Sequence, residues 1–466
     1  MLGGLLAGIS SAQAQANKQA DDARLNANGL YGQRLYQIAV SEYQAFLKKW
    51  PTDPHAVKVR FGLGAAHFNL KQYAQAEAVM GKVVGDPKCP DVPQANFIWG
   101  QSLLKLKKPA NAEGAFETGI KGLPKPKTKP EAALLADLKA GRLEALYQQK
   151  KWKDVVAASA ALKGKAGKGS TRVAYQGAFA LFKLEKYQDA GTAFADLKPA
   201  VKDTPLQQQA HYLLGECLRK QNQFPAAIKE FEVAAGLKGP DAPESLFRLS
   251  ILHFNLENFK DAAQNFDDYR VKYRGQVGPE RFADARIFLG RSLVELKQFK
   301  QAEKVFGDLA ADPKAGAKVF LWQGRMWQSQ KKYAAAVKVL GGALEKFPAS
   351  GLIPDLLFDF ANNNLGLNQF KEAGAAFDKL RQEQPKFKQM AVLLHLNAVC
   401  KHNIRDYANS LKLCGEFLAA HAKHERAADV TFLQCENHFF LNDYPRAIAG
   451  YQAFAEAHPK DLARVN

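Results

Sequence analysis

One short pattern recurs along the whole chain: an aromatic residue, two variable residues, an alanine, and a large apolar residue four positions after the alanine. Phe259-Lys-Asp-Ala262 with Phe266, and Phe299-Lys-Gln-Ala302 with Phe306, are two clear copies. The alanine, or the residue that replaces it, occurs at twelve positions, which we call the anchors: 39, 76, 112, 155, 190, 227, 262, 302, 336, 373, 410 and 447. Successive anchors are 34 to 43 residues apart. A recurrence this regular predicts a repeat architecture instead of one globular core.

Each anchor lies between two segments whose apolar residues follow helical spacing. Around Ala227 these segments are Ala210–Leu218 and Ala227–Ala234. A glycine or alanine often stands twelve residues before the anchor, as Gly215 and Gly290 do. Small residues let two helices approach closely, and because one helix pair cannot bury its apolar face alone, the units are expected to stack. Proline follows the second segment in several units, at Pro51, Pro313, Pro348, Pro385 and Pro459.

The order small residue, aromatic residue, alanine, aromatic residue and proline resembles the tetratricopeptide repeat, whose unit has 34 residues. The resemblance covers roughly residues 20 to 459, with a mean spacing of about 37 residues. It implies an all-α fold: a right-handed superhelical solenoid of about twelve helix-turn-helix repeats.

The resemblance also divides the chain into segments. Residues 20–128 are expected to hold units 1–3, residues 129–163 a degenerate fourth unit, and residues 171–459 units 5–12. Residues 460–466 read as the start of a truncated thirteenth helix. A proline-rich stretch at 124–130 and a Gly/Lys-rich stretch at 163–169 are candidate breaks between stacked blocks.

The N-terminus has features of an export signal. Leu2–Ile9 is apolar, and the following residues offer A-x-A cleavage positions that end at Ala14 or Ala16. No basic residue precedes Lys18, so the true start lies upstream or the segment is a flexible leader. If the true start lies upstream, residues 1–16 are a signal-peptide remnant. The protein is then expected to be periplasmic or secreted and peripheral to the outer membrane. No segment is apolar over the ~18 residues that a membrane span needs.

The charge is strongly positive, with 65 Lys and Arg against 46 Asp and Glu and a formal net charge of +19. Such an excess favours acidic partners, although an evenly solvated basic surface would give the same count. The five cysteines lack metal-site spacing. Cys217, Cys400 and Cys435 lie on apolar helical faces and are expected to be buried and unpaired, while a bond between Cys400 and Cys414 stays open.

The sequence predicts no catalytic residue, no metal site and no cofactor. Gly164–Thr171 has the composition of a phosphate loop but not its order of residues. His421 and His424 lack a third metal ligand nearby. We therefore interpret the chain as a non-enzyme.

The resemblance further implies that the first helix of each unit lines a concave groove. Aromatic residues beside cations at groove positions are typical of a peptide-binding surface, although the same aromatic residues could serve packing alone. Phe358 stands where the carboxylate clamp of chaperone-binding relatives requires a lysine, so that specificity is not expected. The expected partner-binding groove consists of Phe61, Phe68, Phe97, Tyr175, Phe182, Tyr212, Arg219, Phe247, Phe254, Arg291, Arg325, Phe358, Phe432 and Phe439.

Two functions are compatible with these features. The first is a scaffold of the bacterial cell envelope, similar to the tetratricopeptide proteins of outer-membrane assembly or of Tol–Pal systems. It would bind acidic or amphipathic peptides or partner proteins, as part of a larger envelope assembly. The alternative is a basic helical-repeat protein that binds nucleic acid or another acidic polymer. Acidic residues at groove positions, such as Glu216, Asp284 and Asp355, argue against nucleic acid.

Overall fold

The computed structural model describes residues 2–162, 170–312 and 315–457, without the side chains of residues 2–14 and 16. Over these residues it contains 24 α-helices and no β-strand. The predicted all-α fold is therefore confirmed. The Gly/Lys-rich break at 163–169 and the expected thirteenth helix at 460–466 lie outside the described residues.

The helices form twelve consecutive pairs, in which odd numbers denote first helices and even numbers second helices. The pairs of the N-terminal half are α1 (Leu2–Gly32) and α2 (Tyr36–Lys49), α3 (Ala56–Asn69) and α4 (Tyr73–Val84), α5 (Val92–Lys105) and α6 (Pro109–Lys121), α7 (Lys129–Gln148) and α8 (Trp152–Leu162), α9 (Ser170–Lys183) and α10 (Tyr187–Val201), and α11 (Gln207–Lys220) and α12 (Phe224–Gly236). The others are α13 (Ala242–Asn255) and α14 (Phe259–Lys272), α15 (Pro279–Glu295) and α16 (Phe299–Ala310), α17 (Ala317–Ser329) and α18 (Tyr333–Lys346), α19 (Ile353–Gly366) and α20 (Phe370–Glu383), α21 (Met390–Asn403) and α22 (Tyr407–His421), and α23 (Ala427–Phe440) and α24 (Tyr444–Ala457).

All twelve anchors lie on second helices, and all are buried. Ala302 on α16 is typical, with none of its surface exposed. Ser410 replaces alanine on α22, and its hydroxyl donates a hydrogen bond of 2.8 Å to the carbonyl oxygen of Ala398. The same hydroxyl accepts a bond of 2.8 Å from the Asn437 side-chain amide, so this buried polar group is satisfied. The degenerate anchor is thus structurally equivalent to the others.

The small residue of each first helix makes room for the large residue four positions after the anchor. A Cβ atom on Gly290 would lie 2.6 Å from the ring of Phe306. A Cβ atom on Gly324 would lie 2.7 Å from the side chain of Leu340, and the same relation holds in other units. The sequence predicted close helix contact at these glycines, and the structure identifies the side chain that fills the space.

The turn inside every pair has one feature that the sequence pattern did not reveal. Five residues before each anchor the backbone is left-handed, and the residue is never glycine; Lys331, for example, has a φ of 57°. The amide of the next residue, Lys332, donates a bond of 3.0 Å to the carbonyl oxygen of Trp327. This is the Schellman arrangement that ends many helices. A non-glycine residue costs about 1–2 kcal/mol in this conformation.

The chain divides into two compact units, residues 1–242 and 243–466. Within each unit the second helices pack against the first helices that precede and follow them, and neighbouring first helices also contact one another. The proline-rich stretch at 124–130 lies at the connection between α6 and α7, where Thr128 and Glu131 form a reciprocal cap.

Apart from α1, two first helices are longer than the rest. Helix α7 has 20 residues and α15 has 17 residues, whereas α13 and α19 are typical in having 14 residues each. The two long helices lie in the units with the widest anchor spacings, from position 112 to 155 and from position 262 to 302. The irregular spacings in the sequence therefore coincide with lengthened first helices.

The cysteines behave as small apolar residues. Four of them are buried and free: Cys217, Cys400, Cys414 and Cys435. This confirms the prediction for Cys217, Cys400 and Cys435. Cys400 and Cys414 do not form a disulfide bond. Burial raises the pKa of the Cys217 thiol to about 12, which keeps it protonated. Cys89 is free and partly exposed.

Candidate protein-binding surface

In residues 243–466, side chains of successive first helices contact one another in a continuous row. We call this row the first-helix surface; it consists of Phe254, Phe288, Arg291, Trp322, Arg325 and Asp359. Helical spacing explains the row, because residues three apart, such as Phe288 and Arg291 or Trp322 and Arg325, share one helix face.

Arg291 lies at the centre of this surface, surrounded by three aromatic rings. Its guanidinium carbon is 3.8 Å from the ring centroid of Trp322, 4.5 Å from that of Phe254 and 4.6 Å from that of Phe288. Burial, assisted by the positive charge of Arg325, lowers the pKa of Arg291 to about 10, so the group remains charged at neutral pH. Among the described residues no carboxylate lies within salt-bridge distance of Arg291.

Arg325 lies over the same tryptophan and, unlike Arg291, has carboxylate partners. Its guanidinium carbon is 4.8 Å from the Trp322 ring centroid, and its Nε donates a bond of 2.6 Å to Asp359. A second carboxylate, that of Asp355, is 3.6 Å away. Burial raises the pKa of Asp359, and the charge of Arg325 opposes this effect. Arg325 therefore fixes Trp322 in place, while Arg291 keeps donor capacity for an external acceptor.

In residues 1–242 the first helices α5, α7 and α9 enclose a cleft of about 390 Å³. Phe97 and Leu104 supply apolar lining, and Glu144 accepts bonds from Arg172 at 2.8 Å and from Gln176 at 2.6 Å. The cleft therefore combines apolar lining with a preformed polar network. It is the second candidate contact area on the side of the first helices.

The structure distributes the predicted groove residues among three environments. One is the exposed end of the last pair, where Phe439 is 49% exposed and packs against Phe440 and Tyr444. Most of the others are half-buried and thus able to contact both the core and a ligand: Phe61, Phe68, Phe97, Phe182, Tyr212, Arg219, Phe254, Arg291, Arg325, Phe358 and Phe432.

Tyr175 and Phe247 differ from the expectation, because both are buried. Phe247 is 4% exposed, and its ring lies 5.9 Å from that of Phe266 and 5.8 Å from that of Tyr269. Arg281 covers it, with the guanidinium carbon 4.3 Å from the ring centroid. The two rings therefore belong to the core, since neighbouring helices cover the face that the sequence pattern left open.

Sequence reasoning missed Phe288 and Trp322, which form the walls around Arg291. A usable signal was present: Phe288-Leu-Gly-Arg291 and Trp322-Gln-Gly-Arg325 repeat the order aromatic, any residue, glycine and arginine at a spacing of 34 residues. The glycine of each copy is the small residue that faces the second helix. The aromatic residue, two positions before the glycine, and the arginine, one position after it, therefore lie off that face of the first helix, and Phe288 also stacks on Phe266 of the preceding second helix α14.

Several cations of the first helices pair with neighbouring carboxylates. The pairs are Arg172 with Glu144 at 2.8 Å, Arg219 with Glu216 at 2.8 Å, Lys318 with Asp284 at 2.6 Å and Arg281 with Glu244 at 3.3 Å. Arg291 differs from these in having no such partner among the described residues. An external carboxylate can therefore bind Arg291 without displacing an internal one.

His421 and His424, the sequence's nearest approach to a metal site, both lie against the ring of Phe417, 5.7 Å from it. Over the described part of the chain no group of three His, Cys, Asp or Glu side chains could hold a metal ion. Within that same part, none of the helices combines the length and the apolar character that crossing a membrane requires.

Comparison with known proteins bears on the repeats. A family model described as the tetratricopeptide repeat matches residues 24–88, 175–239, 218–277 and 289–351. No curated protein matches the sequence.

Three solved structures illustrate the structural similarity. The C-terminal part of a TPR repeat-containing protein from Cytophaga hutchinsonii is 19% identical, with a TM-score of 0.43, over 53% of this chain and 96% of that one. A tetratricopeptide repeat protein from Parabacteroides merdae is 14% identical, with a TM-score of 0.38, over 61% and 99%. Yeast Tom70 is 13% identical, with a TM-score of 0.35, over 94% and 92%. The family match and the twelve helix pairs together show that the chain contains tetratricopeptide repeats and is a helical repeat protein of that type.

Proposed function

We propose that this protein is a non-enzymatic scaffold of the bacterial cell envelope that binds segments of other proteins through its first-helix surface. Repeats of this type typically mediate protein–protein interaction. The observation that carries the proposal is Arg291, a charged guanidinium held among three aromatic rings without a carboxylate partner among the described residues. Aromatic side chains beside arginine are the composition of binding hot spots.

The chemistry of this surface suggests its ligand. The rings of Trp322 and Phe254 offer apolar contact, and Arg291 offers donors to a carboxylate. An acidic or amphipathic protein segment supplies both. Nucleic acid fits less well, because a groove that follows phosphates needs a line of unpaired cations, whereas Arg172, Arg219 and Lys318 already pair with carboxylates.

The test compares partner recovery by wild-type protein and by an Arg291→Gln variant. Both proteins, carrying an affinity tag, would be incubated with an envelope extract of the native host, and bound proteins would be quantified by mass spectrometry. We expect at least one specific partner to be recovered about tenfold less by the variant, because a charge-assisted hydrogen bond contributes about 1.5–3 kcal/mol. For that partner, Arg291→Glu should slow association more than it speeds dissociation, and added salt should weaken the effect.

Lys338→Gln is the matched control, since Lys338 is an exposed cation on second helix α18. Equal recovery of every partner by wild type, Arg291→Gln and Lys338→Gln would overturn the proposal. Recovery of nucleic acid instead of protein, removed by nuclease treatment, would favour the alternative.

We further propose that the protein is exported, on the strength of the apolar run and the A-x-A positions within residues 1–16. Both positions, Ala14 and Ala16, lie within α1, so cleavage would shorten this helix. The intact mass of the protein purified from its native host should then correspond to a chain that begins at Gln15 or Asn17. A mass that includes Met1, in protein recovered from the cytoplasmic fraction, would contradict export.

A further inference from the structure

A cleft on the side of the second helices is distinct from the first-helix surface. Helices α14 and α16 form its walls, and α15 forms its floor. One part of the cleft has a volume of about 550 Å³, and an adjoining part that reaches Arg274 and Phe282 has about 650 Å³. Both parts share Arg270, Arg286 and Asp308, so they form one continuous depression. Its floor is one of the two lengthened first helices.

Arg286 lies on the floor of this cleft with an incomplete set of hydrogen bonds. Its Nε atom is buried and has no hydrogen-bond partner among the described residues. Burial lowers the pKa of Arg286, and the carboxylates of Asp308 and Asp312 oppose this effect without either lying within salt-bridge distance of it. The terminal Nη donors of the same guanidinium are not buried in this way and also have no partner among the described residues, so they are open to an external acceptor.

The charge of the cleft favours an anionic ligand. Five cations line it, against three carboxylates: Lys260, Arg270, Arg274, Arg286 and Lys304 against Asp267, Asp308 and Asp312. Asp267 is already engaged, since it accepts bonds of 2.6 and 2.9 Å from Arg270. Arg274, like Arg286, has no carboxylate within salt-bridge distance among the described residues. The cleft therefore keeps a positive excess at the point where the two parts meet.

The floor of the cleft is apolar around the arginine. Leu289 and Leu293 follow Arg286 along one face of α15 and are buried there, whereas Leu296, just after α15, and Val305 on α16 are only partly buried. A small free anion would leave Leu296 and Val305 uncovered. A protein segment that presents a carboxylate next to apolar side chains would bond to the Arg286 donors and cover these two side chains together.

We propose that the cleft between α14 and α16 is a second binding site, which takes an acidic amphipathic segment of a partner protein, with a carboxylate of that segment bonded to Arg286. This site is separate from the surface around Arg291, and its occupation does not depend on the function proposed for that surface.

The experiment measures binding of a synthetic fluorescein-labelled peptide to the full chain by fluorescence anisotropy. In the peptide, leucines follow helical spacing and glutamates fill the remaining positions. We expect saturable binding that Arg286→Gln weakens about tenfold or more, as expected for loss of a charge-assisted hydrogen bond. Gln301→Trp, on the exposed wall of the cleft, should weaken binding as well by filling the space. Because Gln301→Trp leaves Arg286 unchanged, it tests the position of the peptide independently of the charge.

Controls separate this site from general attraction to a basic protein. Lys338→Gln removes a charge outside the cleft, and Arg291→Gln removes one from the first-helix surface; neither should change peptide affinity. A peptide with glutamine in place of glutamate, or with its leucines scrambled, should bind at least tenfold more weakly. The melting temperature of each variant shows that the fold is retained.

Two results would overturn the proposal. One is unchanged affinity for both Arg286→Gln and Gln301→Trp, which would place the peptide elsewhere. The other is full displacement of the peptide by inorganic phosphate together with equal binding of the scrambled peptide, which would indicate a site for small anions. Loss of binding only in Arg291→Gln would place the peptide on the first-helix surface, contradicting this inference while leaving the proposed function intact.

Discussion

Replacement of Phe306 by alanine is expected to lower the free energy of unfolding by about 3–5 kcal/mol. The ring of Phe306 is completely buried and fills the space above Gly290, a residue without a side chain of its own. Because no neighbouring side chain can replace the ring, the substitution leaves a cavity between α15 and α16. Equilibrium denaturation of the full chain by urea, followed by far-UV circular dichroism, would measure the loss.

The expected shape of the transition follows from the repeat architecture. Each helix pair is stabilised mainly by its neighbours, so a defect in one pair weakens the coupling across it. We therefore expect the transition of Phe306→Ala to broaden or to separate into two steps. Phe439→Ala is the control, since Phe439 is 49% exposed and should lose much less stability. A loss of equal size at both positions would contradict the packing described for Phe306.

Replacement of Gly290 by alanine is expected to lower the free energy of unfolding by about 1–3 kcal/mol, although alanine is the better helix former. The added Cβ atom would lie 2.6 Å from the Phe306 ring, closer than van der Waals contact allows. The same substitution at Gly307, also within a helix, meets no atom within 4 Å. Gly307→Ala should therefore raise the free energy of unfolding by about 1 kcal/mol. Thermal and urea denaturation of the two variants would show opposite signs.

A double variant tests whether the two residues act together. If Gly290→Ala destabilises the protein by its contact with Phe306, then Gly290→Ala combined with Phe306→Leu should lose less than the sum of the two single changes. Strict additivity would mean that the added methyl group meets another obstacle. Stabilisation by Gly290→Ala alone would show that the helices can separate without cost.

The candidate binding surface was only partly predictable from the sequence. Arg291, Arg325 and Phe254 were expected on it, and the structure brings them together with Trp322 and Phe288. The groove residues were predicted from helix periodicity, which indicates on which face of a helix a residue lies. Periodicity does not indicate how closely the next helix covers that face, so it does not predict whether the residue is exposed.

The cleft above Arg286 illustrates the same limit. In the sequence Arg286 is one of 65 basic residues, and no motif distinguishes it. Its unsatisfied Nε becomes visible only when α14, α15 and α16 are placed around it. The wide spacing between anchors 262 and 302 marked this unit as irregular, but it did not show on which side a cleft would open.

The sequence by itself determined the twelve helix pairs and the residues at their contacts, because these depend on local spacing. Ala302, Phe306 and Gly290 could each be assigned to an interface from their distance to an anchor. The tertiary structure decided which side chains remain accessible: it buried Tyr175 and Phe247, and it placed Arg291 among three rings with no carboxylate partner in the described part of the chain. Accessibility and pairing depend on side chains from different repeat units, which are distant in the chain, and no local pattern records their separation or angle in space.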